Sequence, residues 1–108
     1  MSLVEFDAFQ KLDLRVGNIK EVYPIEGSRK LLKVIIDLGD SQKQAIAGIS
    51  KYYNAQDLVG KRVIVVTNLV PKPIMGYVSE VMLLAAFNEA NLSLLTTDKD
   101  MPPGTKIS

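Results

Sequence analysis

With 108 residues, 47% of them hydrophobic, the chain is long enough for one globular domain with a modest core and too apolar for a disordered tail. It has no cysteine and no histidine, which excludes a disulfide framework, thiolate metal sites, and the commonest general base and transition-metal ligand. Net charge is only +1, yet eight basic residues stand against three acidic ones from Ser28 to Met75, while acidic residues are in excess on both sides. That layout suggests one positive face, although solvated lysines are common on any surface.

The N-terminus, Met1 to Asp7, lacks the basic and apolar regions of a signal peptide. No apolar run approaches the ~20 residues of a membrane span, and a cytoplasmic protein is expected. A short helix comes first, with Asp7 placed to cap it, Gln10 three residues on, and Phe6 and Phe9 on one side. Leu12-Asp13-Leu14-Arg15-Val16 then alternates as a half-buried strand. The alternation breaks at Gly17-Asn18 and resumes out of phase at Ile19, which predicts a bulge or sharp bend there. Small barrels use such a bend to let one long strand serve two parts of the sheet.

Tyr23 to Lys30 reads as a turn region, with Pro24, Gly27 and Ser28 as breakers. Leu31 to Leu38 is the second strand, Leu38-Gly39-Asp40-Ser41 a turn, and Gln42 to Ile49 the third strand. Asn54 is placed to cap a short helix through Leu58 that ends at Gly60. Lys61 to Thr67 is the fourth strand and Val81 to Phe87 the fifth. Between them Pro71, Pro73 and Gly76 interrupt a loop that looks too long for a two-residue hairpin, and long ordered loops are where binding residues gather. Leu92 to Leu95 is a sixth short run, and Met101-Pro102-Pro103-Gly104 a closing turn.

Three strands, a short helix and two more strands is the order of an OB-fold, an all-β, five-stranded Greek-key barrel that binds oligonucleotides on its strand 2–3 face and nearby loops. A six-stranded sandwich would give a similar pattern. On the barrel reading, residues 1–108 form one domain, the barrel runs from about residue 12 to 86, and 87–108 is a C-terminal extension. Lys30, Lys33 and Lys43 then fall on or beside strands 2 and 3.

Several short stretches occur in this order: LDLRVGNI (Leu12 to Ile19), DLG (Asp37 to Gly39), AGI before KYY (Ala47 to Tyr53), and NLVPKPIMGYVSEVMLLAA (Asn68 to Ala86). In that order and spacing the chain resembles the tRNA-binding domain family, from Phe6 to Ile107. The family includes the C-terminal domain or separate β-subunit of methionyl-tRNA synthetase, free-standing tRNA-binding proteins and the secretion-associated chaperone CsaA. The resemblance implies a dimeric OB-fold that binds the outer corner or elbow of tRNA by shape, without catalysis; no cofactor or metal is expected. An aminoacyl-tRNA synthetase is an implied partner. Lys30, Lys43-Gln44, Asn68, Pro71, Lys72, Gly76, Ser79 and Met82 match family positions. Pro73 and Met75 stand where relatives often have basic residues, and the S-E-V of Ser79 to Val81 is similar to CsaA-like members.

The expected RNA-binding residues are Lys30, Lys33, Lys43, Lys51 and Lys72 for phosphates, Gln44, Asn68 and Ser79 for sugar or base edges, and Met82 beside them. Each has a plainer alternative: Asn68 could satisfy loop backbone groups, Ser79 could cap a strand, and Met82 could belong to the core. The Tyr52-Tyr53 pair suits packing better than stacking. A CsaA-like peptide binder is the competing function, with an apolar pocket beside Met75, Tyr77 and Val81. An enzyme is not expected, because no Gly-rich phosphate loop and no carboxylate pair near a lysine is present. Phe87, Leu92, Leu94, Leu95, Met101 and Ile107 exceed what a small barrel can bury, so a homodimer is expected through 87–108, helped by Phe6 and Phe9.

Overall fold

The computed structural model describes residues 1–108. In chain order the elements are α1 (Phe6–Gln10), β1 (Leu14–Pro24), β2 (Leu32–Asp37), β3 (Gln42–Ala47), α2 (Ala55–Leu58), β4 (Arg62–Val66), β5 (Lys72–Ile74), β6 (Tyr77–Ser79), β7 (Met82–Leu83), β8 (Ala85–Phe87), β9 (Leu92–Leu94) and β10 (Lys106–Ile107). The main sheet runs β3-β2-β1-β4-β7, with every pairing antiparallel. β1 is its spine: β4 pairs along one side, while β10 and then β2 share the other.

Alternation decides what is inside. On β2, Leu32, Val34 and Ile36 are buried and Lys33, Ile35 and Asp37 are half-exposed. These inward residues meet Ile19, Ala45, Val63 and Val65 in the core, and α2 adds the fully buried Leu58 from the short helix. Each of the buried Val, Leu and Ile side chains stabilises the fold by about 1.5–3 kcal/mol through burial. The barrel is nearly closed and of the OB type, as the element order implies.

Several expectations are corrected. The register shift in β1 lies between Ile19 and Glu21, at Lys20, not at Gly17-Asn18. Gly17 answers a packing need: a Cβ there would stand 2.5 Å from Ile36 Cγ2 and 3.0 Å from Val65 Cγ2. Tyr23 and Pro24, read as turn, continue β1 and pair with Lys33 and Leu32. The fifth strand is divided. Met82–Leu83 pairs with β4, then at Leu84 the chain turns away and Ala85–Phe87 pairs with β9. Leu84 is the pivot, its N–H bonded to Ile64 O and its carbonyl to Leu95 N–H.

The helix α1 is capped from Glu5, without a side-chain bond, and Asp7 lies in its first turn. None of its residues is buried. The C-terminal extension is not wholly outside the barrel, since β10 pairs with Leu14 and Arg15. Arg62 donates Nε–H to Met101 O at 2.9 Å, on the same side of β4 as Ile64 and Val66. The extension therefore crosses the outer side of β4, where Ile64 and Val66 are buried although they alternate with the core set.

Candidate nucleic-acid interface

The segment from Asn68 to Glu80 expected as an open loop is a hairpin, β5 to β6, turned by Met75 (φ 49°) and Gly76 (φ 84°). Two successive positive φ values are the pattern of a type I′ turn, whose twist matches that of the flanking strands. The hairpin is fastened along the free edge of β3. Gln44 donates Nε2–H to Val78 O (3.0 Å), and Glu80 N–H donates to Gln44 O (2.8 Å). Gln44 N–H donates to Glu80 Oε1 (3.0 Å), and Ile46 N–H donates to Ser79 Oγ (3.0 Å). Side-chain oxygens thus accept from the β3 edge where a neighbouring strand's carbonyls would. This is the seam that closes the barrel.

Three of the expected RNA contacts are consequently engaged within the chain. Gln44 and Ser79 belong to the seam, and the Ser79 hydroxyl also donates to Val81 O at 3.2 Å. Asn68 accepts from Asp13 N–H (2.8 Å) and donates to Lys11 O (2.7 Å), which ties the end of β4 to the start of β1. Beside it, the Asp13 carboxylate is held below the usual carboxylate range by the Thr67 hydroxyl first, then by Lys106 and Arg15, against an opposing effect of burial.

The lysines divide differently. Lys43 lies 3.9 Å from Glu80 in a loose ion pair. Lys30, Lys33, Lys51 and Lys72, together with Arg29, have no ionic partner. Ser50 gathers part of this set: its N–H donates to Lys30 O and its hydroxyl to Arg29 O, so Arg29-Lys30 and Ser50-Lys51 share one rim. Lys33 projects outward from β2 between two rings, 5.0 Å from the centroids of both Tyr23 and Tyr77. These tyrosines were not expected in the site, since neither strand pairing nor the reach of the hairpin is written in their local sequence. A hydrogen bond to Glu21, and then its charge, raise the Tyr23 phenol above its ordinary pKa.

Met82 is 45% exposed and is not a core residue. It lines an apolar groove of about 560 Å³ with Leu69, Val70, Leu84, Phe87 and Leu92. The pocket expected beside Met75, Tyr77 and Val81 is displaced to this groove. Val81 is on its wall, while Met75 and Tyr77 lie outside it. Of the Tyr52-Tyr53 pair only Tyr53 packs, half-buried, and its hydroxyl, expected to be exposed, accepts from Leu94 N–H at 3.0 Å, while Tyr52 is exposed.

A small OB-type barrel with unpaired basic side chains on its strand 2–3 side is a nucleic-acid-binding module. Residues 14–106 match the family described as "Putative tRNA binding domain", and the chain belongs to that family. It is 48% identical over 108 residues to the methionine–tRNA ligase of Methanocaldococcus jannaschii, and 46% identical over 105 residues to that of Thermotoga maritima. These alignments cover 99% and 97% of this chain but 17% of each ligase, so the chain spans about a sixth of those relatives. A MetRS related protein from Pyrococcus horikoshii superimposes over the full length of both chains, with a TM-score of 0.94 and 32% identity. The chaperone CsaA from Bacillus anthracis str. Ames gives 0.91 and 36%, covering 99% of this chain and 100% of its own.

Proposed function

We propose that this domain binds the folded outer corner of tRNA through phosphate contacts and shape, without catalysis, as a module serving a methionine-specific aminoacyl-tRNA synthetase in the cytoplasm. The observation that carries the reading is the set Arg29, Lys30, Lys33, Lys51 and Lys72, all without a carboxylate partner and all on the β2–β3 side or its hairpin. Cations left unpaired on a rigid sheet contribute affinity for phosphate and no base choice. Met82 and Lys43 flank this surface, and Gln44, Asn68 and Ser79 support it by fixing the hairpin and the start of β1.

The test is the salt dependence of binding to an unmodified methionine tRNA transcript. With four to six phosphates contacted, log K is expected to fall against log salt with a slope of about −3 to −5. Lys30→Ala and Lys72→Ala should each flatten that slope by about one. A flat response would overturn the reading and favour the CsaA-like one, in which the apolar groove holds a peptide, because apolar burial is not screened by salt.

The second part of the proposal is a homodimer. Phe87 is 79% exposed, Val70 90% and Phe6 67%, and they belong to the groove and to the N-terminal segment that Asn68 ties beside it. A two-fold partner would cover both.

A further inference from the structure

We propose that Tyr23, Lys33 and Tyr77 form a subsite for one unpaired nucleotide of the bound RNA, the base stacking on an exposed tyrosine ring and the phosphate meeting the Lys33 ammonium. This rests on the reading of the domain as a tRNA binder and names the feature it grips: a base standing outside the double helix.

The three side chains come from β1, β2 and the β5–β6 hairpin, so only the folded barrel assembles them. Tyr23 and Lys33 are cross-strand partners, and Tyr77 reaches Lys33 from the hairpin. The hairpin tip also meets the turn after β1, since a Cβ built on Gly27 would lie 3.7 Å from Met75 Cε. The cluster therefore sits where two loops converge over the strand 2–3 face, the region through which OB barrels bind oligonucleotides.

Chemistry selects the ligand. Tyr23 and Tyr77 are 44% and 37% exposed, and in the free protein Lys33 lies over both rings. An ammonium over a ring marks an accessible, electron-rich face, and Lys33 has no carboxylate to hold it there. Paired bases hide their faces inside the duplex, whereas unpaired bases of a folded RNA present them for stacking. A phosphate following the base offers Lys33 a full charge in place of a ring quadrupole. No other cation lies over an aromatic ring in this chain.

The test uses the full chain and an unmodified methionine tRNA transcript. The double variant Tyr23→Leu/Tyr77→Leu should bind about 10- to 100-fold more weakly, as expected for loss of base–aromatic stacking, with the salt slope of the wild type. Tyr23→Phe/Tyr77→Phe should stay within about two-fold, because the stacking face is kept. Lys33→Gln should flatten the slope by about one. Leucine-variant affinity within two-fold of wild type overturns the subsite and leaves the tRNA reading standing, whereas a wild type that fails to bind tRNA overturns both. If the leucine variant melts early, tyrosine emission decides, since the chain has four tyrosines and no tryptophan. Saturating tRNA should quench the wild type, and the quench should be smaller in the phenylalanine variant, which keeps only Tyr52 and Tyr53. No quench in the wild type, or an unchanged quench in the phenylalanine variant, overturns the proposal.

Discussion

At the scale of single residues, Asn68 shows how a polar side chain in a family-like stretch divides between two roles. Its amide stands in for a strand neighbour, accepting from Asp13 N–H and donating to Lys11 O. Asn68→Ala leaves two backbone groups without that partner at an exposed position, so it should lower stability by about 0.5–1.5 kcal/mol. For a domain of this size that is a fall in melting temperature of roughly 4–8 °C per kcal/mol. Binding of tRNA, measured well below the transition, should change less than about two-fold. Ligand-facing Asn68 would give the opposite pattern, an unchanged melting temperature with weakened binding. Sequence alone named Asn68 and Ser79 in the stretch after β4, and Gln44 on the third strand, as polar candidates but could not say what they face. The partners lie 33 to 57 residues away, and only the closed barrel sets them side by side.

At the scale of elements, the main strands were readable for different reasons: β2 alternates in burial through Leu32, Val34 and Ile36, while β4 is a short apolar run buried from Val63 to Val66. The β5–β6 hairpin, the divided fifth strand and the two-residue β10 were not. The β5–β6 hairpin hides behind two prolines, yet Pro73 pairs with Val78 at the outer edge of a two-stranded ribbon, where a missing N–H is tolerated. Its turn also begins with a methionine in the left-handed region, a residue with no turn signature. The run Met82 to Phe87 looks like one strand because its apolar residues are continuous, and nothing local marks Leu84 as the pivot. The hairpin yields a prediction. Met75→Asn places Asn-Gly at the two positive-φ positions, and relief of the left-handed strain should raise stability by about 0.5–1 kcal/mol. Thermal denaturation checks it. A loss of stability would mean that packing of the Met75 side chain near Gly27 outweighs the backbone strain.

At the scale of the whole molecule, the extension 87–108 was expected to be the apolar excess of a dimer, and the structure narrows that expectation. Leu92 and Leu94 pack on the barrel's own core, and Ile107 pairs against Leu14. What stays open is Phe87, Leu95 and Met101 of the extension, Val70, Leu69 and Met82 around the groove, and Leu3, Val4, Phe6 and Phe9 in the N-terminal segment. A five-residue helix with no buried residue has too few turns to hold itself by backbone bonds alone, so α1 needs a surface to rest on. In the proposed homodimer a second copy would provide one, with α1 of each protomer lying on the groove side of the other. A stable pairing requires about 1,200–2,000 Å² in total, against 7426 Å² exposed by one chain. Light scattering at micromolar concentration should therefore give about twice the 11.9 kDa of the chain. Val70→Asp/Phe87→Asp should convert it to a folded monomer, because a charge at a two-fold contact meets its like or its own burial. The same variant should bind tRNA more weakly with a shallower salt slope, as one basic face replaces two. A wild-type mass near that of one chain would refute the dimer and leave the groove open to a peptide.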